Sequence, residues 1–226
     1  EETADEIFDR CNRILQQENM GARGIIEQSN VRLICTTDDP VDDLAWHKKM
    51  AEDPTLSVKV LPAFRPDKAL NIDKPGFTDY IQKLCEVTGE TIDTFGSLCN
   101  ALEKRIDFFD SMGCRASDHA LDAPLYAAAT PQRLTQILKK GLESKVTELE
   151  AETFRTGLLL FLAKAYSARG WVMQLHMGAL RNNNSRMFKK LGADTGFDSV
   201  NDYAIAGNLS KLLNSMEEQD GLPKTI

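Results

Sequence analysis

Residues 170–192, GWVMQLHMGALRNNNSRMFKKLG, contain the pattern that decides the fold of this chain. The apolar run at residues 171–175 is typical of a buried strand, and His176 ends it. A polar segment with two arginines and three asparagines follows at residues 181–186, and a short helix is predicted at residues 187–191. Because α/β proteins place ligand-binding side chains at the carboxyl ends of strands, this order predicts a site for a small, oxygen-rich, anionic ligand. The residues leave one alternative open. The asparagines would then form a turn for backbone reasons, and the histidine would be a core residue whose hydrogen bonds are satisfied.

The same order of strand and helix recurs along the chain. Strands are predicted at residues 31–36, 58–61, 113–117, 171–175 and 224–226. Helices are predicted at residues 3–17, 25–29, 40–52, 77–88, 91–111, 122–129, 131–142, 146–168, 187–191 and 200–216. Strands that alternate with long helices imply right-handed crossovers and a parallel sheet. We therefore expect a helix-rich α/β fold, a single domain over residues 1–226, whose βα units form part of a (β/α)8 barrel.

Composition narrows the class of protein. The net charge of −7 argues against nonspecific binding to nucleic acid. Apolar runs are too short for a membrane span, and we expect neither a span nor a signal peptide. The five cysteines are scattered without a CxxC pair, which favours a reducing, cytoplasmic location.

Polar clusters stand at four predicted strand ends, one for each βα unit. They lie at residues 36–39, 65–68, 115–119 and 176–184. Arg65, which stands between Phe64 and Pro66, is suited to gripping a carboxylate with two hydrogen bonds. The alternatives are an ion pair of Arg65 with Asp67 or Asp39, and helix capping by Asp38 or Asp39.

The chain has three histidines, and none lies in a dense metal-binding motif. His47, on a predicted helix, is interpreted as a surface or packing residue. His119 and His176 each follow a predicted strand, where either a functional or a core role is open. These residues alone cannot complete a zinc site, which needs three or four ligands. The Gly-x-Ser-x-Gly elbow and the phosphate- and dinucleotide-binding glycine patterns are absent.

Four stretches resemble the glucuronate (uronate) isomerase family of the amidohydrolase superfamily. They are ICTTDDPVDDLAWHKKM (34–50), VLPAFRPDKALNIDKPGF (60–77), GCRASDHALD (113–122) and WVMQLHMGALRNNNSRMFKKLGADTGFDS (171–199). The resemblance covers essentially the whole chain. It implies a metal-dependent (β/α)8 barrel of the cytoplasm that interconverts D-glucuronate with D-fructuronate, and D-galacturonate with D-tagaturonate, through an enediol.

The resemblance also implies roles for individual residues. His176 is expected beside the metal, as a catalytic residue and metal ligand. The expected substrate-binding residues lie on the same rim, and they are Arg65, Asp118, His119, Arg181, Asn183 and Arg186.

Two features of the family are missing from this sequence, a His-x-His pair after the first barrel strand and an aspartate after the last. We therefore expect an internal segment of a longer enzyme, without the first and last barrel strands. The divalent metal, expected to be zinc, would belong to the full-length enzyme, and the segment is expected to be inactive and to bind none. Unpaired strand edges favour a homo-oligomer. The rival interpretations are a hydrolase of the same superfamily and a catalytically inert folded module.

Overall fold

A parallel sheet runs through the molecule, a computed structural model that describes residues 3–121 and 126–226. Its strands are β1 (Leu33–Cys35), β2 (Lys59–Leu61), β3 (Ala116–Leu121), β4 (Val172–Met177) and β7 (Lys224–Thr225). β1 pairs with β2, and β3 pairs with β4, which pairs with β7. Phe64, just after β2, bridges to Asp38 on one side and Ser117 on the other. The strands therefore stand side by side in the order in which the chain makes them, all parallel, as the βα periodicity predicted.

Helices fill the connections. They are α1 (Ala4–Leu15), α2 (Ala22–Gln28), α3 (Ala45–Ala51), α4 (Asp67–Leu70), α5 (Phe77–Thr88), α6 (Phe95–Ser111), α7 (Pro131–Leu142), α8 (Glu148–Ala168), α9 (Ser185–Leu191) and α10 (Ala206–Glu217), with a 3-10 turn at Glu18–Met20. A small antiparallel ribbon, which the sequence did not predict, pairs β5 (Ala179–Leu180) with β6 (Ser199–Val200). Within the described residues, no helix has the length and apolar character that crossing a bilayer requires.

Side-chain caps explain where several helices begin. Thr94 precedes α6 and Thr147 precedes α8, and each accepts a hydrogen bond from a backbone N–H in the first turn. Thr130 caps α7 in the same way, with Pro131 in the first helical position. Such caps satisfy N–H groups that have no partner inside the helix, and each stabilises by about 1 kcal/mol.

The core lies between the sheet and the helices on one of its faces. Phe64 is fully buried at its centre, with the rings of Phe109, Tyr166 and Trp171 packed edge-on around it at 5.1–6.2 Å. In β4, Met173 and Leu175 face this core, whereas Gln174 and His176 are exposed on the opposite face. Because side chains alternate along a strand, the sheet has a covered face towards the helices and an open face with polar side chains.

Several predicted boundaries were wrong, for identifiable reasons. α6 begins at Phe95 rather than at residue 91, directly after its cap Thr94. α10 begins at Ala206 rather than at residue 200, because residues 199–200 form β6. α3 begins at Ala45 rather than at residue 40, because Leu44 takes a left-handed backbone with φ of 53°. Residues 39–42 instead form a turn in which Val41 donates to Asp39 Oδ1, so neither Asp38 nor Asp39 caps α3.

The third strand covers residues 116–121, so Asp118 and His119 lie inside it instead of following it. Of the helix predicted at residues 122–129, the first four residues lie outside the described part of the chain. Residues 126–129 are not helical.

Candidate active site

Side chains from neighbouring βα units meet around Asp118 on the open face of the sheet. Asp118, in β3, is only 8% exposed. His176 of β4 places Nε2 2.8 Å from Asp118 Oδ1, and Arg65 places a terminal nitrogen 3.4 Å from Oδ2. Thr37, after β1, donates a long hydrogen bond of 3.3 Å to the same Oδ2. Parallel pairing brings these residues together although they are far apart in sequence.

The contact between Asp118 and His176 is close but is not a well-aligned hydrogen bond. Asp118 Oδ1 has no aligned donor among residues 3–121 and 126–226. His176 Nε2 also lies 2.9 Å from Gln174 Nε2. A neutral imidazole nitrogen either donates or accepts, so the tautomer of His176 determines which neighbour it serves. The pair therefore offers a buried carboxylate oxygen beside an exposed imidazole, a combination that can hold and move a proton.

Arg65 is already paired, as one alternative from the sequence predicted. Its Nε donates to Asp67 Oδ2 at 2.8 Å, while Asp39 pairs with Lys68 at 3.1 Å. Burial raises the pKa of Asp67, and Arg65 opposes that rise. The Arg65 guanidinium thus lies between the carboxylates of Asp67 and Asp118, and its positive charge stabilises their negative charges.

A cavity of about 350 Å³ lies over the carboxyl ends of β3 and β4. His176 and Arg181 supply its polar side chains, and Ala120, Leu175 and Met177 contribute to its wall. This volume is in the range of cavities that hold small molecules. Arg181 directly follows β5 and pairs with Asp198 at 2.6 Å.

The asparagine segment organises the turn beside this cavity. The side-chain amide of Asn183 donates to the hydroxyl of Ser199, and Asn184 caps α9 by accepting from the backbone of Met187. Arg186 is exposed in the first turn of α9. Asn183 and Asn184 therefore make contacts that hold the turn and the start of α9, whereas Arg181 alone of the predicted residues in this segment lines the cavity.

His119 does not join the other predicted site residues. It is fully buried on the covered face, with its ring 5.7 Å from the ring of Tyr166. Within the described chain, neither ring nitrogen has a hydrogen-bond partner. Burial, with smaller contributions from Arg65 and His176, lowers the pKa of His119 to about 3, so the ring is neutral at ordinary pH.

Three contributors were not predicted as site residues, although Thr37 and Asp67 lie in the predicted polar clusters at residues 36–39 and 65–68. Thr37, Asp67 and Gln174 contact Asp118, Arg65 and His176 respectively. Their positions in the sequence could have identified them, because each lies within two residues of a predicted site residue or at the end of a strand. His47, interpreted from the sequence as a surface or packing residue, is buried, and its Nε2 also lies 2.7 Å from the hydroxyl of Thr36.

The described residues do not complete a metal centre. His176 Nε2 and Asp118 Oδ1 are the candidate ligands on the open face, and their closeness suits a shared cation. No group of three or more histidine, cysteine, aspartate or glutamate residues in the described ranges has the geometry to hold a metal ion. A catalytic zinc takes about three protein ligands, so these two residues fall short of that number.

The fold and the site together define a parallel α/β protein with a cavity and a cluster of polar side chains at the carboxyl ends of its strands. The model of the family described as glucuronate isomerase matches residues 1–226, and the chain belongs to this family.

Named relatives and a solved structure are similar along nearly the whole chain. It is 49% identical to a uronate isomerase of Caldanaerobacter subterraneus over all of this chain and 49% of the relative. It is 51% identical to a uronate isomerase of Serratia proteamaculans over 99% of this chain and 48% of the relative. The crystal structure of a uronate isomerase from Thermotoga maritima superposes with a TM-score of 0.83 and 36% identity, over 90% of this chain and 45% of that one. The chain thus spans about half the length of the relatives it matches.

Proposed function

We propose that the whole protein is a uronate isomerase that interconverts the aldose and ketose forms of hexuronates in the cytoplasm. The substrates would be the pairs D-glucuronate with D-fructuronate and D-galacturonate with D-tagaturonate. The observation that carries this proposal is the Asp118 cluster at the strand ends, in a chain of the glucuronate isomerase family. The parallel strands, laid down in chain order, support the further proposal that they belong to a (β/α)8 barrel.

An aldose–ketose isomerisation moves a proton from C2 to C1 through an enediol. It needs a group that takes and returns the proton and positive charge near the developing oxyanion. Asp118 and His176 are the proton-handling pair that this chain offers, because a buried carboxylate oxygen faces an imidazole at 2.8 Å beside the cavity. Arg65 holds the negative charge of Asp118 and Asp67 in place while protonation changes nearby.

The substrate carboxylate requires a cation that is accessible from the cavity. Arg65 is engaged by two carboxylates, so its contribution is to the charge balance of the site. Arg181 lines the cavity, its side chain is 47% exposed, and a single carboxylate, Asp198, pairs with it in the contacts of the described chain. We assign the carboxylate to Arg181, with Asn183 and Arg186 beside it as sources of hydrogen bonds to hydroxyl groups.

We also propose a divalent metal, zinc, for the whole protein. It would act as the electrophile of the reaction when bound. His176 and Asp118 would face it, and its other ligands would have to come from outside the residues described here.

An isomerase assay tests the proposal directly. The 226-residue chain and the whole protein are each incubated with D-glucuronate and with D-galacturonate, with and without added zinc, and the ketouronate is measured. Ketouronate from the whole protein is expected. Release of an amine or acid from amide or ester substrates, with no ketouronate, would overturn the proposal in favour of a hydrolase.

Two substitutions in the whole protein test the residue assignments. Arg181→Met is expected to raise KM about tenfold, because it removes one charged hydrogen bond to the substrate. Arg115→Met is the matched control, since Arg115 is also exposed and ion-paired, but its partner is Asp110 and it lies near the amino end of β3. His176→Asn is expected to abolish most turnover while the protein stays folded. Full activity in either site variant would refute that residue's role.

A further inference from the structure

We propose that His47 is a positioning residue of the site, acting through Thr36 and Thr37 on Asp118. This inference rests on the proposed function, because its kinetic consequence is read in the isomerase reaction. His47 lies on α3, on the covered face of the sheet, and does not reach the cavity.

A group of three side chains, of which His47 is buried and the other two are half-buried, fixes the chain directly after β1. The hydroxyl of Thr36 donates to Asp38 Oδ2 at 2.6 Å, and His47 Nε2 lies 2.7 Å from the same hydroxyl oxygen. Since a hydroxyl has a single hydrogen, the Thr36 oxygen accepts from the Nε2–H of His47 while it donates to Asp38. Asp38 Oδ2 also accepts from the backbone N–H of Ala63 at 3.3 Å, which ties the group to the next strand.

Because side chains alternate along an extended chain, fixing Thr36 and Asp38 on one face also fixes Thr37 on the open face. The backbone ladder continues past β1, because Asp38 donates to Ala63 and Arg65 donates to Asp38, at 3.0 and 2.9 Å. Thr36 and Asp38 therefore point towards α3, and Thr37, between them, points to the opposite face. There its hydroxyl reaches Asp118 Oδ2 at 3.3 Å. The position of Thr37, and with it one of the contacts that orient Asp118, depends on two neighbours that His47 holds.

The rest of the loop has anchors of its own. Tyr80 donates to Asp39 Oδ1 at 3.0 Å, and Arg105 donates to the backbone carbonyls of Pro40 and Asp42 at 2.5 and 2.8 Å. Removal of the His47 imidazole is therefore expected to displace residues 36–38 without unfolding the whole loop.

Side-chain variants in the whole protein separate positioning from packing. His47→Leu keeps an apolar side chain in the buried position and removes the donor. His47→Gln restores a donor at about the place of Nε2, whereas His47→Asn places it one atom short. Thr36→Val removes the bridging hydroxyl at constant volume and serves if His47→Leu does not fold. Thr37→Val removes the contact with Asp118, and Thr37→Ser preserves it.

Kinetics give the expected signature. His47→Leu and Thr37→Val should each lower kcat about tenfold with KM within about twofold, because the reacting geometry changes while substrate contacts remain. His47→Gln and Thr37→Ser should stay near the wild-type value. The double variant of His47→Leu with Thr37→Val should be no slower than either single variant, because both act through one contact. An unchanged kcat in His47→Leu, or a double variant slowed about a hundredfold, overturns the proposal.

A crystal structure of His47→Leu provides a readout that does not depend on turnover. The distance between the Thr37 hydroxyl and Asp118 Oδ2 is expected to lengthen beyond hydrogen-bond range, and an unchanged distance overturns the proposal. If the wild-type protein shows no isomerase activity, the proposed function fails, and this distance still decides whether His47 positions Thr37.

Discussion

Replacement of His119 by phenylalanine is expected to stabilise the protein, although His119 was a predicted site residue. His119 is fully buried, and among the described residues neither of its ring nitrogens has a partner. A buried polar group without a hydrogen bond costs roughly 1–3 kcal/mol, and a phenylalanine ring at this position would face the rings of Tyr166 and its neighbours. At pH 8 the variant should gain about 1–3 kcal/mol in the free energy of unfolding, less any strain from its larger ring.

The dependence on pH is the more specific expectation. The folded protein has a pKa of about 3 at His119, against an ordinary value of 6.5. Between these values the unfolded chain binds a proton that the folded chain refuses, so acid favours unfolding. The stability associated with the neutral ring is complete above pH 6.5 and falls by about 1.4 kcal/mol for each pH unit below it. From pH 6.5 to pH 4.5 the wild type should therefore lose about 3 kcal/mol relative to His119→Phe.

Urea unfolding at half-unit steps of pH, followed by circular dichroism, measures both effects. Subtraction of the two curves cancels every other titrating group that the variants share. Strain from the larger ring shifts the difference by a constant and leaves its slope unchanged, and His119→Leu checks this point with a smaller side chain. A pH-independent difference between wild type and variant would refute the burial argument, because it would mean that His119 titrates alike in both states.

Three further outcomes follow from contacts described above. Arg65→Lys keeps the positive charge but removes the planar guanidinium that contacts both Asp67 and Asp118. The kcat/KM of the whole protein should therefore fall at least about tenfold in a steady-state isomerase assay. Unchanged kinetics would contradict the role of Arg65 in the site. The pKa of Glu150 is lowered to about 2 by the ammonium group of Lys140 and the backbone N–H of Thr147, so its contribution is present above pH 4.5 and lost as the pH falls towards 2. Glu150→Gln should flatten the acid unfolding curve in that window, and parallel curves would contradict this. Gly157→Ala should lower the free energy of unfolding in urea by about 1–3 kcal/mol despite the better helix propensity of alanine, because the new Cβ would stand 2.5 Å from a methyl of Leu134. A gain in stability would show that the Leu134 side chain moves freely.

Much of the fold could be predicted because its signals are local. The helices Phe77–Thr88 and Pro131–Leu142 have the predicted bounds, since apolar periodicity and the caps or glycines at their ends are written in neighbouring residues. The start of α3 could not be predicted in this way. It depends on a left-handed Leu44, which is buried at 3% exposure and whose backbone is fixed by the tertiary structure.

The sequence predicted which segments of the chain contribute to the candidate site, but not which side chains contact one another. Asp39 and Asp67 were both candidates for Arg65 in the sequence, and in the structure Arg65 pairs with Asp67 while Asp39 contacts Lys68 and Tyr80. The contact of Asp118 with His176 depends on pairing between strands that are separated by two helices. His119 differs from Asp118 by one position, yet alternation sends it to the other face of the sheet, a distinction that required the limits of β3.

The agreement between strand order and chain order also affects how the molecule is made. As the ribosome releases the chain, β2 finds β1 already synthesised, β3 finds β2, and β4 finds β3. Each strand can dock on an edge that is waiting for it, and no strand must be inserted between two that have already paired. The sheet can therefore grow one unit at a time during translation, with the aromatic cluster around Phe64 sealed only when Trp171 has emerged.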